Sequence, residues 1–510
     1  MDARKVRPVT SLQDALPVLV ELARRGAGDD AHEVYLVGGW VRDTLLGRPT
    51  NEVDLAAQDP VTFAQHAAAA LGTRVVVLGG EHPLHRIPLD GGQIDVTPLH
   101  GMLEEDLARR DFTVNAMAVP LGALDGASGL QAGTSVSAAA LTPHLIDRHN
   151  GRADLGARVL RATGPEVFTE DPIRALRAAR LSSELEFDVA QETLELISSA
   201  LPALRDAAPE RVTAELLRLF AADRSIRGVH VMESTGLLEL CFPELAEGYD
   251  MEQRPSHAYD VYRHQVVAFD HLDALLGPVE PGEPAYAALW RQFWRSTEWP
   301  ETRWGPLRDV LNEHRAGIRI ATLLHDIGKP RTLVVQEDGR TRFFGHSELG
   351  AAMAAERLRA WRFPNTIIER VALLIDQHLR PGQVMSPGEP PTERALHRFH
   401  EALGDATPDV CMLFLADALA TEPAMVRERW PAYVRHVHRI VEWRPPAQAS
   451  EVRRLADGHA VIAATGLAPG PLVGVIMQAI EEAAAVGDIR TSDEALALAK
   501  RLADADRGTG

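Results

Sequence analysis

The sequence predicts a small α+β head followed by a long, all-helical body. Strand-type apolar runs occur only up to about residue 145, and the rest of the chain carries helical periodicity. With 510 residues the chain is also too long for one hydrophobic core, which points to three or so domains. On this basis the chain divides into a head over 1–145, a helical region over 146–240, a second helical unit over 241–445 with an inserted excursion near 277–315, and a helical C-terminal piece over 446–510.

In the head, residues 33–37, 74–78, 93–97 and 113–119 read as strands. Tyr35, Leu36 and Val37 lead into Gly38-Gly39, and a helix opens at about Val41. The paired glycines allow a turn whose backbone N–H groups approach a phosphate closely, with an anion at the helix's positive end. An ordinary strand-turn-helix is the plainer alternative for so short a pattern. Glu52 and Asp54 follow at once. Alternation along a strand puts both side chains on one face, as two carboxylates must be if they are to share divalent ions. Further on, Arg109, Arg110 and Asp111 can grip a ribose and phosphates while Phe112, Val114 and Met117 pack beneath; a surface ion pair is the alternative. Residues 121–141, rich in Gly, Ala and Ser, read as a surface excursion.

The body begins with amphipathic helices over 171–181 and 210–221. Asp171 before Pro172 is a good N-cap with proline at the first helical position. A second helical unit runs from His257 to about Val441, broken by a Pro/Gly-rich loop over 277–284 and a Trp-rich excursion over 290–304. Residues 444–448 read as a linker, and 506–510 as a frayed end.

A hydrophobic content of 45% and a charged content of 25% are those of a soluble globular protein. There is no long apolar run, and the N-terminus lacks the apolar core of a signal peptide, so a cytoplasmic enzyme without membrane partners is expected. Cys241 and Cys411, in apolar contexts without metal-site spacing, read as buried thiols. A formal charge of −19 argues against indiscriminate coating of nucleic acid. The cluster Arg148, Arg152, Arg158, Arg161, Arg174, Arg177, Arg180, Arg211 and Arg218 nevertheless supplies what a large RNA would need locally.

Taken together, the glycine turn, the carboxylate pair and the Arg109-Arg110-Asp111-Phe112 block resemble the class II tRNA nucleotidyltransferase and bacterial poly(A) polymerase family, a branch of the polymerase-beta-like superfamily. The resemblance spans nearly the whole chain. It implies a two-metal site in which Glu52 and Asp54 bind Mg²⁺ and Asp95 is the third carboxylate, with Gly38, Gly39, Arg42, Arg109, Arg110 and Asp111 at the nucleotide. It further implies that Asp171 and Arg174, supported by Glu170, select the incoming base by contacting the edge of cytosine, and that 210–216 packs the neck. One departure stands out: the family carries Asp at both positions of the pair, and here the first is Glu52. Members that complete CCA also carry a flexible loop between the third carboxylate and the double-arginine block, whereas only residues 96–103 separate Asp95 from Glu104 here. The expectation is therefore addition of two cytidines to tRNA from CTP, with ATP as a further candidate substrate. Poly(A) polymerase, or a transfer-inactive head that delivers RNA to a hydrolase, are the alternatives.

That hydrolase is implied by His264, His325, Asp326, His346, His378 and Asp417, which resemble the HD phosphohydrolase pattern in their order. His264, His325, Asp326 and Asp417 form the minimal set, and His346 and His378 extend it to a second metal. Imidazole and carboxylate ligands suit Mn²⁺, Ni²⁺, Fe²⁺ or Mg²⁺, and the implied reaction is that of a phosphatase or 2′,3′-cyclic phosphodiesterase. In the tail, the glycines and prolines of 458–474 read as helix caps, with the helix from Leu472 a candidate contact for the tRNA elbow.

Overall fold

The computed structural model describes residues 11–25, 33–79, 83–124, 136–253, 258–277, 284–295, 301–338, 340–385, 390–421, 423–444 and 455–508. His257, the middle of the 121–141 excursion, most of the 277–284 loop, residues 296–300, most of the 444–448 linker and the last two residues lie outside the described residues. The chain forms two compact units, Met1–Cys241 and Phe242–Gly510.

The first unit is built on a seven-stranded mixed sheet. Its strands are β1 (Val34–Val37), β2 (Glu52–Ala57), β3 (Val76–Leu78), β4 (Leu84–Leu89), β5 (Gly92–Pro98), β6 (Met117–Pro120) and β7 (Ile146–Asp147), in the order β3-β4-β5-β2-β1-β6-β7. Strands β2 and β5 are parallel, with Glu52 opposite Gln93 and Asp54 opposite Asp95. The antiparallel β4 then places Arg86 opposite Asp95. Along β2, Val53 and Leu55 are buried while Glu52 and Asp54 point to the other face, so one alternation supplies both a core and a site. Full burial of side chains such as Val53, Leu55, Ile87 and Ile94 contributes roughly 1.5–3 kcal/mol each, which holds the carboxylate-bearing strands in register.

Three head segments differ from the sequence reading. The strand expected over 113–119 begins only at Met117, because Thr113–Asn115 forms a 3₁₀ turn that sends the Asn115 carboxamide to Asp111. Strand β4 was not expected: His85, Arg86 and Pro88 interrupt its apolar pattern. The flanks of the 121–141 segment are not a surface excursion, since Leu121, Leu124 and Leu141 are buried and Arg24 donates to the carbonyls of Gly122 and Leu124.

In the same unit, the helices Ile173–Leu185, Pro209–Ala221 and Ser225–Thr235 pack together. Gly228 sets the closest approach: a Cβ there would lie 2.4 Å from the Ala179 carbonyl oxygen and 2.6 Å from Ser183 Oγ. On an open helix surface Gly→Ala would stabilise by about 1 kcal/mol. Overpacking reverses the sign here, and Gly228→Ala is expected to destabilise by about 1–3 kcal/mol, read as a lower melting temperature.

The second unit is helical apart from one antiparallel strand pair, Leu333–Val335 with Thr341–Phe343, and its central helices (Val261–Leu276, Arg315–Leu324, His346–Ala360, Asn365–Gln377 and Thr407–Thr421) bring the histidines inward. A buried Arg319–Asp273 ion pair ties two of them. The Trp-rich segment is not an excursion where it is described: Trp290 and Trp294 are buried, and the indole of Trp294 donates to the Leu275 carbonyl at 2.7 Å. The final helices, Gly458–Thr465, Pro471–Ala485 and Ser492–Gly508, share a small core around Val461, Ile476, Ile480 and Ala499. Gly466 closes the first of these at φ +69° and Pro471 opens the second, the capping roles that the sequence suggested. Cys241 and Cys411 are buried free thiols. Among the described residues no helix is long and apolar enough to cross a membrane.

Candidate active sites

In the first unit, ligand atoms of Glu52, Asp54 and Asp95 lie within 4.8 Å of one another. They stand at a cavity of about 760 Å³ lined by Gly39, Arg42, Glu52, Asp54, Arg177 and Arg180, among others. Burial, and then the neighbouring Glu52, push the Asp54 carboxyl up to about 6, against the pull of Arg110. A pocket of mutually repelling carboxylates with only oxygen donors fits a hard divalent ion such as Mg²⁺. Gly38, at φ +68°, makes the close approach possible, since a Cβ there would stand 3.1 Å from Asp54 Oδ2 and 3.2 Å from the Arg110 guanidinium. The helix Gly38–Leu45 begins at this turn, three residues earlier than the sequence suggested.

Asp95 is part of the cluster but is also engaged by Arg86, whose Nε donates to Oδ1 at 2.8 Å and whose terminal nitrogen donates to Oδ2 at 2.6 Å. The double-arginine block does not line the cavity. Arg110 is turned to Asp106 at 2.9 Å, Arg109 is exposed, and Asp111 is buried as an anchor rather than offered to a ribose. Asp111 accepts from the Asn115 carboxamide and from Arg177, which together with the charge of Arg177 hold it below the usual carboxylate range although burial opposes this. Asn115 in turn accepts from Arg42 at 2.7 Å.

Arg177 and Arg180, not singled out for this site from sequence, line the cavity and are both held by Glu215, at 3.3 Å and 2.6 Å. Glu215 therefore does more than pack the neck. The signal was present in the chain: Arg174, Arg177 and Arg180 recur every three residues, which keeps them near one helical face. Asp171 and Arg174 do not line the cavity and do not face a common partner. Asp171 Oδ1 accepts from the Ile173 amide, but the helix takes Pro172 and not the expected Asp171 as its N-cap, while Oδ2 takes Arg211 at 2.7 Å. Arg174 donates to the Val167 carbonyl, with Glu170 3.8 Å away. Much of the arginine cluster is paired internally: Arg148 with Glu104, Arg161 with Asp154 and Arg218 with Glu184.

In the second unit all six expected residues converge. His264 Nε2 lies 3.0 Å from Asp417 Oδ1 and 3.6 Å from Asp326 Oδ2, and His325 Nε2 lies 3.2 Å from that same Asp326 oxygen. The other Asp326 oxygen faces His346 at 3.4 Å and His378 at 3.9 Å. Two potential ligand groups thus share one carboxylate. The Nδ1 atoms of His325, His346 and His378 each face a backbone carbonyl three residues earlier, at 2.6–2.8 Å, which orients Nε2 of each ring inward. His325 Nε2, His346 Nε2 and Asp326 Oδ1 are buried without a well-aligned hydrogen bond, as metal-ligating atoms would be. This imidazole and carboxylate set fits a transition-metal ion. Burial opposes charge on His325, but Asp326 and Asp417 outweigh it and hold its pKa up to about 10; burial and then the charge of His325 push His378 down to about 4. Lys329, 2.6 Å from Asp326, was not expected.

Comparison with known proteins agrees with both halves. The family models "Poly A polymerase head domain", "Probable RNA and SrmB- binding site of polymerase A" and "HD domain" match residues 34–101, 186–248 and 302–422. His264 precedes the last of these matches, yet the fold brings it to the same site. The chain is 34% identical to the CC-adding tRNA nucleotidyltransferase of Thermus thermophilus, covering 91% of this chain and 93% of that protein. It is 33% identical to the A-adding tRNA nucleotidyltransferase of Deinococcus radiodurans, covering 93% and 96%. The Thermotoga maritima CCA-adding enzyme, solved with tRNA, shares the fold at a TM-score of 0.56 and 18% identity, covering 97% of this chain and 99% of that one. The site and fold thus define a nucleotidyltransferase head joined to a helical body with an HD domain. The chain belongs to the tRNA nucleotidyltransferase family.

Proposed function

We propose that this enzyme transfers two cytidylates from CTP to tRNA 3′ ends and carries a separate phosphohydrolase in its HD domain. The observation that carries the first part is the convergence of Glu52, Asp54 and Asp95 at a cavity whose wall includes Arg42, Arg177 and Arg180. Divalent ions bound by Glu52 and Asp54 would supply activation of the RNA 3′-hydroxyl and neutralisation of the departing pyrophosphate. Asp54, at about 6, is ionised at neutral pH and able to hold such an ion. The arginines are balanced by Asp43, Asp111 and Glu215, so they present donors already fixed in direction to a triphosphate, which limits the reorganisation needed on binding. Base choice falls to Asp171 and Arg174 with Glu170; it requires Arg211 to release Asp171 and Arg174 to leave the Val167 carbonyl.

Restriction to cytidine is supported by the short link after the third carboxylate. Between the end of β5 at Pro98 and the helix that starts at Leu103 there are only residues 99–102, four in all. They are pinned by Leu99 N–H to the Ala57 carbonyl at 2.8 Å and Met102 N–H to Glu105 at 3.0 Å. Nothing in this stretch resembles the flexible loop that CCA-completing members use for the terminal A. The near-equal identities to a CC-adding and an A-adding relative do not discriminate, so the assay must: tRNA lacking all three end nucleotides, incubated with CTP and ATP and sequenced, is expected to end in CC. Efficient A incorporation would overturn the restriction.

The hydrolase reading is supported by the shared Asp326 and its surrounding histidines. With Mn²⁺ or Ni²⁺ the protein is expected to cleave a generic phosphoester or a 2′,3′-cyclic nucleotide, and cleavage of neither would make the site structural. A cytoplasmic location fits a tRNA substrate.

A further inference from the structure

We propose that Gln93 is the positioning residue that allows a glutamate to serve at position 52, an inference that rests on the transfer reading of the head. The family places aspartate there, and the extra methylene of Glu52 both displaces the carboxylate and adds a rotatable bond to a side chain that is 48% exposed. Displacement of about 1 Å at a reacting centre can cost on the order of a hundredfold in rate. In this chain the parallel register sets Gln93 beside Glu52, and the Gln93 carboxamide donates from Nε2 to Glu52 Oε1 at 2.6 Å. The Arg86 guanidinium that clamps Asp95 stands 3.8 Å from that same oxygen. One carboxylate oxygen of Glu52 is therefore held from the side of β5, which limits where its carboxylate can stand within the cluster.

Both backbones beneath this contact are fixed. Thr50 Oγ1 accepts from the Glu52 amide at 3.2 Å and donates to the Glu52 carbonyl at 3.0 Å. The Gln93 amide donates to the Asn51 carbonyl at 2.9 Å, and Gly92 sits so close that a Cβ would stand 2.7 Å from that oxygen. An exposed hydrogen bond between mobile side chains contributes little, but here both side chains spring from backbone held by hydrogen bonds and both residues line the cavity. An aspartate at 52, shorter by one methylene, would withdraw from Gln93 and make the carboxamide irrelevant.

The test is a double-mutant cycle of Gln93→Leu and Glu52→Asp in the full-length protein, read in two ways. Terbium(III), a hard ion that prefers oxygen donors to the histidine-rich second site, can be followed by luminescence sensitised by Trp40, which lines the same cavity. Steady-state CTP incorporation supplies kcat and KM. With Glu52 present, Gln93→Leu is expected to weaken terbium binding and lower kcat, each by about tenfold, while KM for CTP moves by less than about twofold. With Asp at 52, the same change should move neither by more than about twofold. Equal losses in both backgrounds, or none in either, would overturn the role. Asp54→Asn separates this failure from a deeper one: if it abolishes terbium binding while Gln93→Leu is silent, only the positioning role falls; if binding survives it, the transfer reading falls as well.

Discussion

An Asp54→Asn enzyme should lose cytidine transfer by roughly a thousandfold or more and yet melt at a higher temperature than the wild type. The loss of rate follows from removing the central carboxylate of the Glu52, Asp54, Asp95 cluster. The gain in stability follows from the position of Asp54, whose carboxyl is pushed up to about 6 by burial and by Glu52. A folded-state pKa raised above the unfolded value means that the charged form is the strained one. The contribution of Asp54 to stability is fully present below the ordinary aspartate range and is lost as the pH rises through about 6. An asparagine, neutral throughout, escapes that loss, by about 1–3 kcal/mol above pH 6. Thermal melts in EDTA at pH 5 and 7.5 check this: the variant's advantage should be full at pH 7.5 and about half as large at pH 5. The same titration makes Mg²⁺ compete with a proton, so ion affinity in the wild type should fall as the pH drops below about 6.

Replacing Asp326 by alanine should have the second large effect, and it should spare transfer. This carboxylate faces His264 and His325 through one oxygen and His346 and His378 through the other, so its loss removes the element common to both metal groups. Phosphoester cleavage with Mn²⁺ or Ni²⁺ is expected to fall by roughly a thousandfold or more. The metal-free protein should also lose about 3–5 kcal/mol, because the buried Lys329 and the charged His325 are left without their main counter-charge. The pH window carries a sign. Although burial opposes it, His325 and Lys329 hold Asp326 well below the carboxylate range, so its contribution is present above pH 4 and lost only in strong acid. His325, held at about 10, contributes fully below about pH 6.5 and progressively less as the pH rises towards 10. The stability gap between wild type and Asp326→Ala should therefore be widest between about pH 4 and 6.5 in chelator, and calorimetry across that range measures it.

What the chain discloses on reading, and what it hides, divides along physical lines. Glu52, Asp54 and the glycine turn are legible because strand alternation and turn chemistry are local, and the six HD residues because their order survives in a linear pattern. Partners across strands are not legible. Nothing near Gln93 or Arg86 in sequence says that the first will face Glu52 and the second will clamp Asp95, since that depends on register between β2, β5 and β4. Strand β4 itself was hidden because Arg86 serves the site side of the sheet, while the polar His85 sits on the buried face beside Ile87 and Pro88 breaks the apolar pattern. Other residues of the family's motifs have their polar ends engaged in the fold, Asp111 by Arg177, Arg110 by Asp106 and Arg174 by the Val167 carbonyl. Arg177 and Arg180, one and two turns further along the same helix, are the ones at the cavity. Trp290 and Trp294 were misread because a run of large aromatics between loop signals looks the same whether it caps a core or projects from it.

The most direct measurement of the central claim is end extension of tRNA that stops before its CCA, with each nucleoside triphosphate offered alone in Mg²⁺. CTP alone should lengthen the RNA by two nucleotides and then stop, ATP and UTP should add nothing, and Asp54→Asn should leave the RNA unchanged. Failure of CTP to extend the end, or extension that survives loss of Asp54, would contradict the assignment of transfer to the carboxylate cluster.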